Sequence, residues 1–462
     1  MVRLFKHYVP HSFLMLGAIE IVILMSSIYL GASLRFAGED QPLRAAGPLL
    51  PKALIFTLVM ISVMTAVGLY KSNLRDGIAG MLLRIGISIL LGLAAMSFVF
   101  YLFPVLFLGR GAFGLAFAAA LTGIVLARII FFKVVNQDAM KRRILVLGTG
   151  KRAVELAHQM RRKVDKRGFV IVGYVHVTGE HDVIEPHHIA RLDVPLLEYA
   201  DQQHVDEIVV AVEDRRKGFP VHQLLDCKMS GIEVVDMLTF FERQGGKIRL
   251  DLLHPSWLIF SDGFLSGFFQ AYTKRMFDIV ASLALLTLTW PIMIVAALAI
   301  KLESPGPVLY RQIRVGQNWR LVQVLKFRSM CNDAEKDGPQ WAGKNDSRVT
   351  RIGAFIRKVR IDELPQLYNV LKGEMSFVGP RPERPMFVEQ LSQTIPYYAE
   401  RHRVKPGITG WAQIRYPYGS TEKDAVEKLQ YDLYYVKNYS LFLDLLILFQ
   451  TAEVILWGRG AR

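Results

Sequence analysis

Four apolar stretches, 13–34, 53–69, 85–108 and 113–132, crowd the first third of this 462-residue chain. Each has the roughly twenty residues a helix needs to cross a hydrocarbon layer. Such a layer offers no water to backbone N–H and C=O groups, so these stretches are expected as membrane-spanning helices. The first is long for the apolar part of a cleaved leader and is followed by three more, which makes it an uncleaved anchor in this reading. Arg3 and Lys6 precede the first stretch; Lys71, Arg75 and Arg84 separate the second from the third; Lys133, Lys141, Arg142 and Arg143 follow the fourth. Positive residues favour the cytoplasmic side, and an even number of crossings puts all three groups there. Glu20 lies inside the first stretch. An intramembrane carboxylate is a candidate functional group, and helix packing is the preferred reading.

The net charge of +15 calls for an anionic partner. Nucleic acid, acidic lipid headgroups and nucleotide-sugars all qualify, and the apolar stretches favour the last two over nucleic acid. With only Cys227 and Cys331, a disulfide framework is excluded, which fits domains facing a reducing cytoplasm.

The pattern changes at Arg143. Short apolar runs at 144–147, 169–175, 207–212 and 232–235 alternate with helical stretches, the signature of a Rossmann-like parallel sheet. Gly148-Thr149-Gly150-Lys151-Arg152-Ala153 follows the first run. Such a turn admits phosphate at a helix N-terminus. Ala153 replaces the third glycine of the dinucleotide pattern, however, and His176 stands where a ribose-binding acid belongs. A structural turn is therefore preferred to a cofactor site. His181, His187, His188 and His204 are read as surface residues, since their sequence spacing gives no tight ligand set.

The fifth apolar stretch, 277–300, is long enough to cross. Parity argues against it: a fifth crossing would export Lys301, Arg311, Arg314, Arg320, Lys326 and Arg328, with only Glu303 to offset them. Pro291 removes a helical hydrogen bond, so a re-entrant helix bending at Trp290-Pro291 is expected. The run 441–457 is broken by Asp444, Gln450 and Glu453 and reads as an interfacial helix.

Between these elements lies Arg-Ile-Asp-Glu-Leu-Pro-Gln-Leu from Arg360, and then Gly-Glu-Met-Ser-Phe-Val-Gly-Pro-Arg-Pro ending at Pro382. A carboxylate can attack phosphorus, and Mg²⁺ is bound through one or two carboxylates plus phosphate oxygens. Asp362 and Glu363 are thus candidates to divide attack and metal binding, against the plainer reading of helix-dipole acids. Lys326 and Arg328 are expected on one face of a strand, as a cation pair suited to a diphosphate. Arg381, fixed between prolines, presents a guanidinium shaped for phosphate. In the rigid turn 405–411, Trp411 either packs on a base or caps a core. Tyr416, Tyr418, Tyr431, Tyr434 and Tyr435 suit an interfacial position.

From Lys274 onward the chain resembles the bacterial sugar transferases, the polyprenyl-phosphate phosphoglycosyl transferases. The runs 326–330, 333–353, 360–368, 373–385, 404–413 and 429–448 carry the resemblance. The whole chain is similar to long members with four spans and a Rossmann-like insert, in the exopolysaccharide and exosortase-associated branch. The resemblance implies a membrane α-helical bundle plus α/β architecture: a four-helix transmembrane domain at 1–135, a Rossmann-like (CoA-binding-like) domain at 143–255, and a monotopic catalytic domain at 272–462. It implies transfer of a sugar 1-phosphate from a UDP-sugar to undecaprenyl phosphate, releasing UMP, as the first step of exopolysaccharide synthesis at the bacterial cytoplasmic membrane. Asp362 matches the nucleophile, Glu363 the acid that binds Mg²⁺, and Arg381 the phosphate-site arginine; Lys326 and Arg328 are expected substrate contacts. Where the family has Ser-Pro at the bend, this chain has Thr289-Trp290-Pro291. Partners are then the UDP-sugar, undecaprenyl phosphate, the bilayer and a second copy of the chain, with no nucleic acid; the sugar stays open among glucose, galactose and an N-acetylhexosamine. Two other readings stand beside this one: a membrane-anchored oxidoreductase or epimerase using NAD(P) at the glycine turn, and a non-catalytic scaffold.

Overall fold

The computed structural model describes residues 2–4, 7–9, 11–38, 47–70, 77–135, 141–159, 168–190, 192–214, 216, 218–264, 267–331, 334, 346, 348–416, 419 and 421–456. Lys6, Lys71, Arg75, Asp333, the run 335–345, Tyr418 and Trp457 lie outside them. The chain divides into two compact units: most of 1–245, and 246–462 together with the short segments 3–7 and 65–68.

The first unit opens with helices α1 (His11–Arg35), α2 (Leu49–Ala66), α3 (Gly77–Leu102) and α4 (Arg110–Val135). Each is long and apolar enough to cross a membrane. α3 stops at Leu102 because Pro104 opens a short 3₁₀ turn, so the third apolar stretch ends before residue 108. Arg84, read from the sequence as a loop cation, lies inside α3 and is buried. Small residues let α1 and α4 approach closely: a Cβ on Gly31 would stand 2.5 Å from Ala112 O and 2.7 Å from Ala116 N. Phe56, Phe113 and Phe117 interlock edge to face beside them.

Glu20 is completely buried in this bundle. Arg128 Nε lies 2.6 Å from its Oε1, Arg128 Nη2 donates to Oε2 at 3.1 Å, and Tyr70 Oη also donates to the carboxylate. Arg128 Nη1 donates to Leu69 O at 2.9 Å. The intramembrane acid is therefore paired, and the pair ties α1, α4 and the end of α2 together.

Five parallel strands follow: β1 (Arg142–Leu147), β2 (Phe169–Val175), β3 (Ile189–Ala190), β4 (Glu207–Val210) and β5 (Glu233–Asp236). Their order is β3-β2-β1-β4-β5, which is the Rossmann-like arrangement expected. Ile144, Leu145, Val146 and Leu147 are all buried, as a strand covered on both faces requires. Helices α5 (Lys151–Gln159), α6 (Leu196–Gln202) and α7 (Val221–Met229) make the crossovers.

The second unit is built on α8 (Phe268–Glu303), a single helix that runs through Pro291 without interruption. The expected break into two segments is absent from the described backbone. Thr289 Oγ1 and Thr287 Oγ1 donate to the carbonyls of Leu285 and Leu283 one turn back, and α-helical backbone is retained on both sides of the proline. Buried residues occur near its start (Lys274, Asp278, Ser282) and near its end (Ala296, Ile300), with none between them. An apolar middle that contacts little protein is what a lipid-embedded segment looks like.

Strands β6 (Leu309–Val315) and β7 (Leu321–Phe327) form an antiparallel hairpin, with Leu309 opposite Phe327 and Val315 opposite Leu321. After helices α9 (Arg351–Lys358) and α10 (Gln366–Lys372) comes β8 (Ser376–Val378), which pairs in parallel with β9 (Gly407–Thr409). Helices α11 (Glu422–Asn438) and α12 (Leu441–Leu456) close the unit. Asp444, Gln450 and Glu453, which interrupt the apolar C-terminal run, are all buried: they mark the face of α12 that packs on protein. Lys274 Nζ lies 2.6 Å from Asp444 Oδ2 and 3.2 Å from Asp278 Oδ1. Asp278 also accepts from Ser376 Oγ and Phe377 N, both at 3.1 Å. One buried charge cluster thus joins α8, β8 and α12.

Removing one member of a buried ion pair strands the other, typically at about 3–5 kcal/mol. Arg128→Leu is accordingly expected to lower the thermal midpoint and folded yield sharply, and pairing it with Glu20→Gln should recover part of the loss. Thermal unfolding of the purified variants decides it, and a single variant as stable as the parent would contradict the clamp.

Candidate active site

In β7, Val322 and Val324 are buried, and Lys326 falls on the same inward face by strand alternation. An inward ammonium needs an anion. It finds Glu363 Oε1, 3.1 Å from Lys326 Nζ. The acid is delivered by a tight turn. α9 begins with Thr350 capping Gly353 N and is ended by Arg360, which takes the left-handed conformation (φ 62°, ψ 18°). A 3₁₀ turn, Ile361–Glu363, follows, and Pro365 leads into α10. Asp362 and Glu363 are both buried. They sit on this turn between two helices; the first turn of a regular helix, the plainer reading, is not where they are found.

Arg381 Nη2 reaches Glu363 Oε1 at 3.2 Å, and Arg360 Nη1 lies 3.6 Å from the same oxygen. Three cations therefore meet one carboxylate. Burial pushes Glu363 up, but Lys326, Arg381 and Arg360 outweigh it and hold the carboxyl far below the usual glutamate range. Asp362 moves the other way: burial and then the neighbouring Glu363 charge push it up, against the pull of Lys326, Arg360 and Arg381. Asp362 Oδ1 is buried and has no hydrogen-bond partner among the described residues. Two adjacent carboxyls driven apart in this way suit two different tasks.

The turn carrying Arg381 is fixed from behind. Gly379 crosses the 405–410 turn so closely that a Cβ on Gly379, Gly407 or Gly410 would overlap the opposite backbone. Arg401 Nη2 donates to Arg381 O at 3.1 Å and pairs with the buried Asp432 at 2.7 Å. Arg314 Nη1 donates to Pro382 O at 3.0 Å. Asn369 staples α10 to β7: its Oδ1 accepts from Leu325 N at 3.0 Å and its Nδ2 donates to Gln323 O at 2.8 Å. Sequence reading missed Arg360, Asn369 and Arg401. The only local signal was the position of Arg360 next to the acids.

Other expected residues fall elsewhere. β7 ends at Phe327, so Arg328 does not continue its alternation. Its buried guanidinium donates to Pro305 O, Ser304 O and Ser304 Oγ at 2.9, 2.7 and 2.8 Å, at the C-terminal end of α8. That is the position where a helix leaves carbonyls unsatisfied and favours a cation. Trp411 is completely buried, stacks on Tyr434 and donates Nε1–H to Gly246 O at 2.7 Å; of its two readings, it caps a core. Tyr434 and Tyr435 are buried too, which corrects their expected interfacial placement: Tyr435 Oη donates to Asp444 Oδ1 at 2.7 Å. Among the scattered histidines, the ligand atoms of exposed His187 and His188 come within 4.8 Å of each other and of Glu185.

Comparison with known proteins agrees with this organisation. A family model described as "Bacterial sugar transferase" matches residues 269–458, and one described as "CoA-binding domain" matches 65–225. A UDP-N-acetylgalactosamine-undecaprenyl-phosphate N-acetylgalactosaminephosphotransferase of Aeromonas hydrophila is 46% identical over 52% of this chain and 56% of its own length. A UDP-glucose:undecaprenyl-phosphate glucose-1-phosphate transferase of Xanthomonas campestris pv. campestris is 32% identical over 76% of this chain and 75% of its own. A protein of the same description from Klebsiella pneumoniae is 37% identical over 70% and 69%. The chain thus spans little more than half of the Aeromonas relative and about three quarters of the Xanthomonas one.

The geometry separates a structural cation from a site cation. Arg328→Met should destabilise the fold by about 3 kcal/mol or more, since several buried carbonyls lose their donor. Arg381→Gln should cost clearly less, because Lys326 and Arg360 still pair the buried Glu363 when it is gone. Equal losses in chemical unfolding would contradict this division.

Proposed function

We propose that this chain, which belongs to the bacterial sugar transferase family, transfers a sugar 1-phosphate from a UDP-sugar to undecaprenyl phosphate and releases UMP. The observation that carries the reading is Asp362 Oδ1, buried and without a hydrogen-bond partner among the described residues, beside a carboxylate held ionised by three cations. In the first step the Asp362 carboxylate attacks the β-phosphorus of the donor. The bond from that phosphorus to the bridging oxygen breaks, and UMP leaves with the oxygen and its electron pair. In the second step a phosphate oxygen of undecaprenyl phosphate attacks the same phosphorus and frees Asp362.

Lys326 and Arg381 lie where they can neutralise the diphosphate as the bond breaks. Arg401, through the Arg381 carbonyl, and Asn369, through β7, set the positions of these two cations. A buried carboxylate together with the phosphate oxygens of the donor is the hard oxygen donor set that suits Mg²⁺, and Glu363 is the residue assigned to hold it, which leaves the bare Asp362 oxygen for attack. Bound there, Mg²⁺ would supply charge neutralisation of the diphosphate oxygens. The basic groups flanking the spans support a cytoplasmic catalytic unit at a bacterial inner membrane, and initiation of exopolysaccharide synthesis is the process this reading assigns. The nicotinamide-dependent alternative finds no support in the relatives, which are described as sugar-phosphate transferases.

Asp362→Asn should lower UMP release by roughly a thousandfold or more while leaving membrane insertion intact; near-normal release would remove Asp362 as nucleophile. Glu363→Gln should weaken the Mg²⁺ titration as well as the rate, and an unchanged titration would argue against a metal ligand. A panel of UDP-glucose, UDP-galactose and UDP-N-acetylgalactosamine, scored by UMP formation with undecaprenyl phosphate, identifies the donor.

The attacking aspartate must be ionised. Its carboxyl is pushed up by burial and by Glu363 and pulled back by Lys326, so activity should fall with decreasing pH at a limb above the ordinary aspartate range. Lys326→Met should move that limb to still higher pH; a limb that stays or moves down would contradict the assignment.

For the long helix, Lys274 is buried in an ion pair and will not report sidedness. The helix is unbroken at Pro291, so the proposal that both its ends stay cytoplasmic is carried by the basic residues of 301–328 alone: cysteines at exposed Phe269 and Leu302, in a background lacking the exposed Cys331, should both label only from the cytoplasmic side. Labelling of residue 302 from the periplasm would make α8 a true span.

A further inference from the structure

The order β3-β2-β1-β4-β5 reverses between β1 and β4, and the crevice at the C-terminal ends of those strands is where such sheets hold nucleotide diphosphates. Backbone N–H groups of the glycine turn and of the following helix receive the pyrophosphate there. The "CoA-binding domain" description of residues 65–225 implies such a ligand. In this chain two of those donors are already taken. Thr149 N donates to Glu180 Oε2 at 3.0 Å, and Lys151 N donates to Glu213 Oε1 at 2.8 Å. Glu213 N in turn donates to Glu180 Oε1 at 2.8 Å. The Glu180 carboxylate therefore bridges the loop after β1 to the loop after β4, across the mouth of the crevice.

The glycines serve the same purpose. A Cβ on Gly148 (φ 123°) would meet Ala211 C and O at 3.0 Å and Glu180 Oε2 at 3.2 Å, and one on Gly150 would meet Glu213 Oε1 at 3.1 Å; the missing side chains leave room for the facing loop and for its carboxylates. Thr149 Oγ1 is engaged as well, donating to Asp182 Oδ1 at 2.5 Å, and Asp182 lies 2.7 Å from His176 Nδ1. The nearby Arg152 guanidinium donates to Val212 O at 3.0 Å. An entering diphosphate would have to displace two charge-assisted contacts and then sit among three carboxylates of its own sign.

We infer that the Rossmann-like domain is capped by its own acids, so that Glu180 and Glu213 replace the pyrophosphate and the glycine turn takes neither CoA nor a dinucleotide. The domain then needs no ligand to hold its two central loops together. This inference is independent of the reaction proposed for the second unit.

Hydrogen exchange of the intact protein in lipid nanodiscs, read on peptides covering 147–155, tests it with CoA and NAD⁺ as probes. The expected result is identical deuterium uptake with and without either probe. In a Glu180→Ala, Glu213→Ala double variant the same peptides should exchange about tenfold faster or more, because their caps are gone. Slower exchange in the wild type on adding CoA or NAD⁺ would overturn the inference, and so would parent-like exchange in a folded double variant. If the variant does not fold, the wild-type arm still decides.

Discussion

Glu363 is a buried carboxylate met by Lys326, Arg381 and Arg360, and the rest of the catalytic unit follows from making that encounter possible. Burying an anion is costly unless it is paired, and three cations converging on one oxygen meet that cost. Their surplus charge then acts on the neighbour. Asp362 is left with a bare oxygen in the same buried turn, its carboxyl pushed up by burial and by the Glu363 charge and pulled back by the cations. Poised groups with opposed shifts mark functional sites more often than structural ones. A carboxylate oxygen that is buried, close to cations and without a hydrogen-bond partner is a strong nucleophile toward a phosphorus that arrives with its own negative charge to be neutralised.

The scaffold holds the cations to their positions by their backbones. Arg381 is fixed through its carbonyl by Arg401 and through the next carbonyl by Arg314, while a glycine crossing locks the turn that bears it. Lys326 is fixed by the strand that Asn369 staples to the helix after the acid turn. Behind them, the Lys274–Asp278–Asp444 cluster ties the long apolar helix and the C-terminal helix to the strand leading into the Arg381 turn. The long apolar helix and the turn that bears Arg381 are in this way parts of one hydrogen-bonded frame.

How much of this was legible in the sequence depended on range. The strand at 169–175, the glycine turn and the acid pair are local patterns, and the structure places each of them where the pattern indicated. Lys326 and Arg381 could be grouped with the acids because strand alternation and flanking prolines are local too, and both contact Glu363. Arg328 was read with Lys326 on the assumption that the strand ran on; it ends one residue earlier, and the guanidinium serves the end of α8. Asp444 looked like a break in an apolar run because its partner, Lys274, is 170 residues away. Asn369 and Arg401 were invisible for the same reason: Asn369 bonds to Gln323 and Leu325, and Arg401 to Arg381 and Asp432, all remote from them in sequence. The uninterrupted helix through Pro291 departs from the expected break: two threonine hydroxyls bonded one turn back precede the proline while the helical backbone persists.

The two units solve the problem of anion binding in opposite ways. In the glycine turn the chain's own carboxylates satisfy two of the N–H donors, whereas in the acid turn cations are gathered and one carboxylate oxygen is left bare. The claim on which the functional account rests is that this oxygen forms a bond to phosphorus. Rapid-quench measurement of UMP, with excess UDP-sugar and no lipid acceptor, tests it most directly. The account predicts a burst close to one UMP per enzyme, with the sugar phosphate recovered on the peptide containing Asp362. UMP that appears only when undecaprenyl phosphate is added, with no mass added to that peptide, would contradict it.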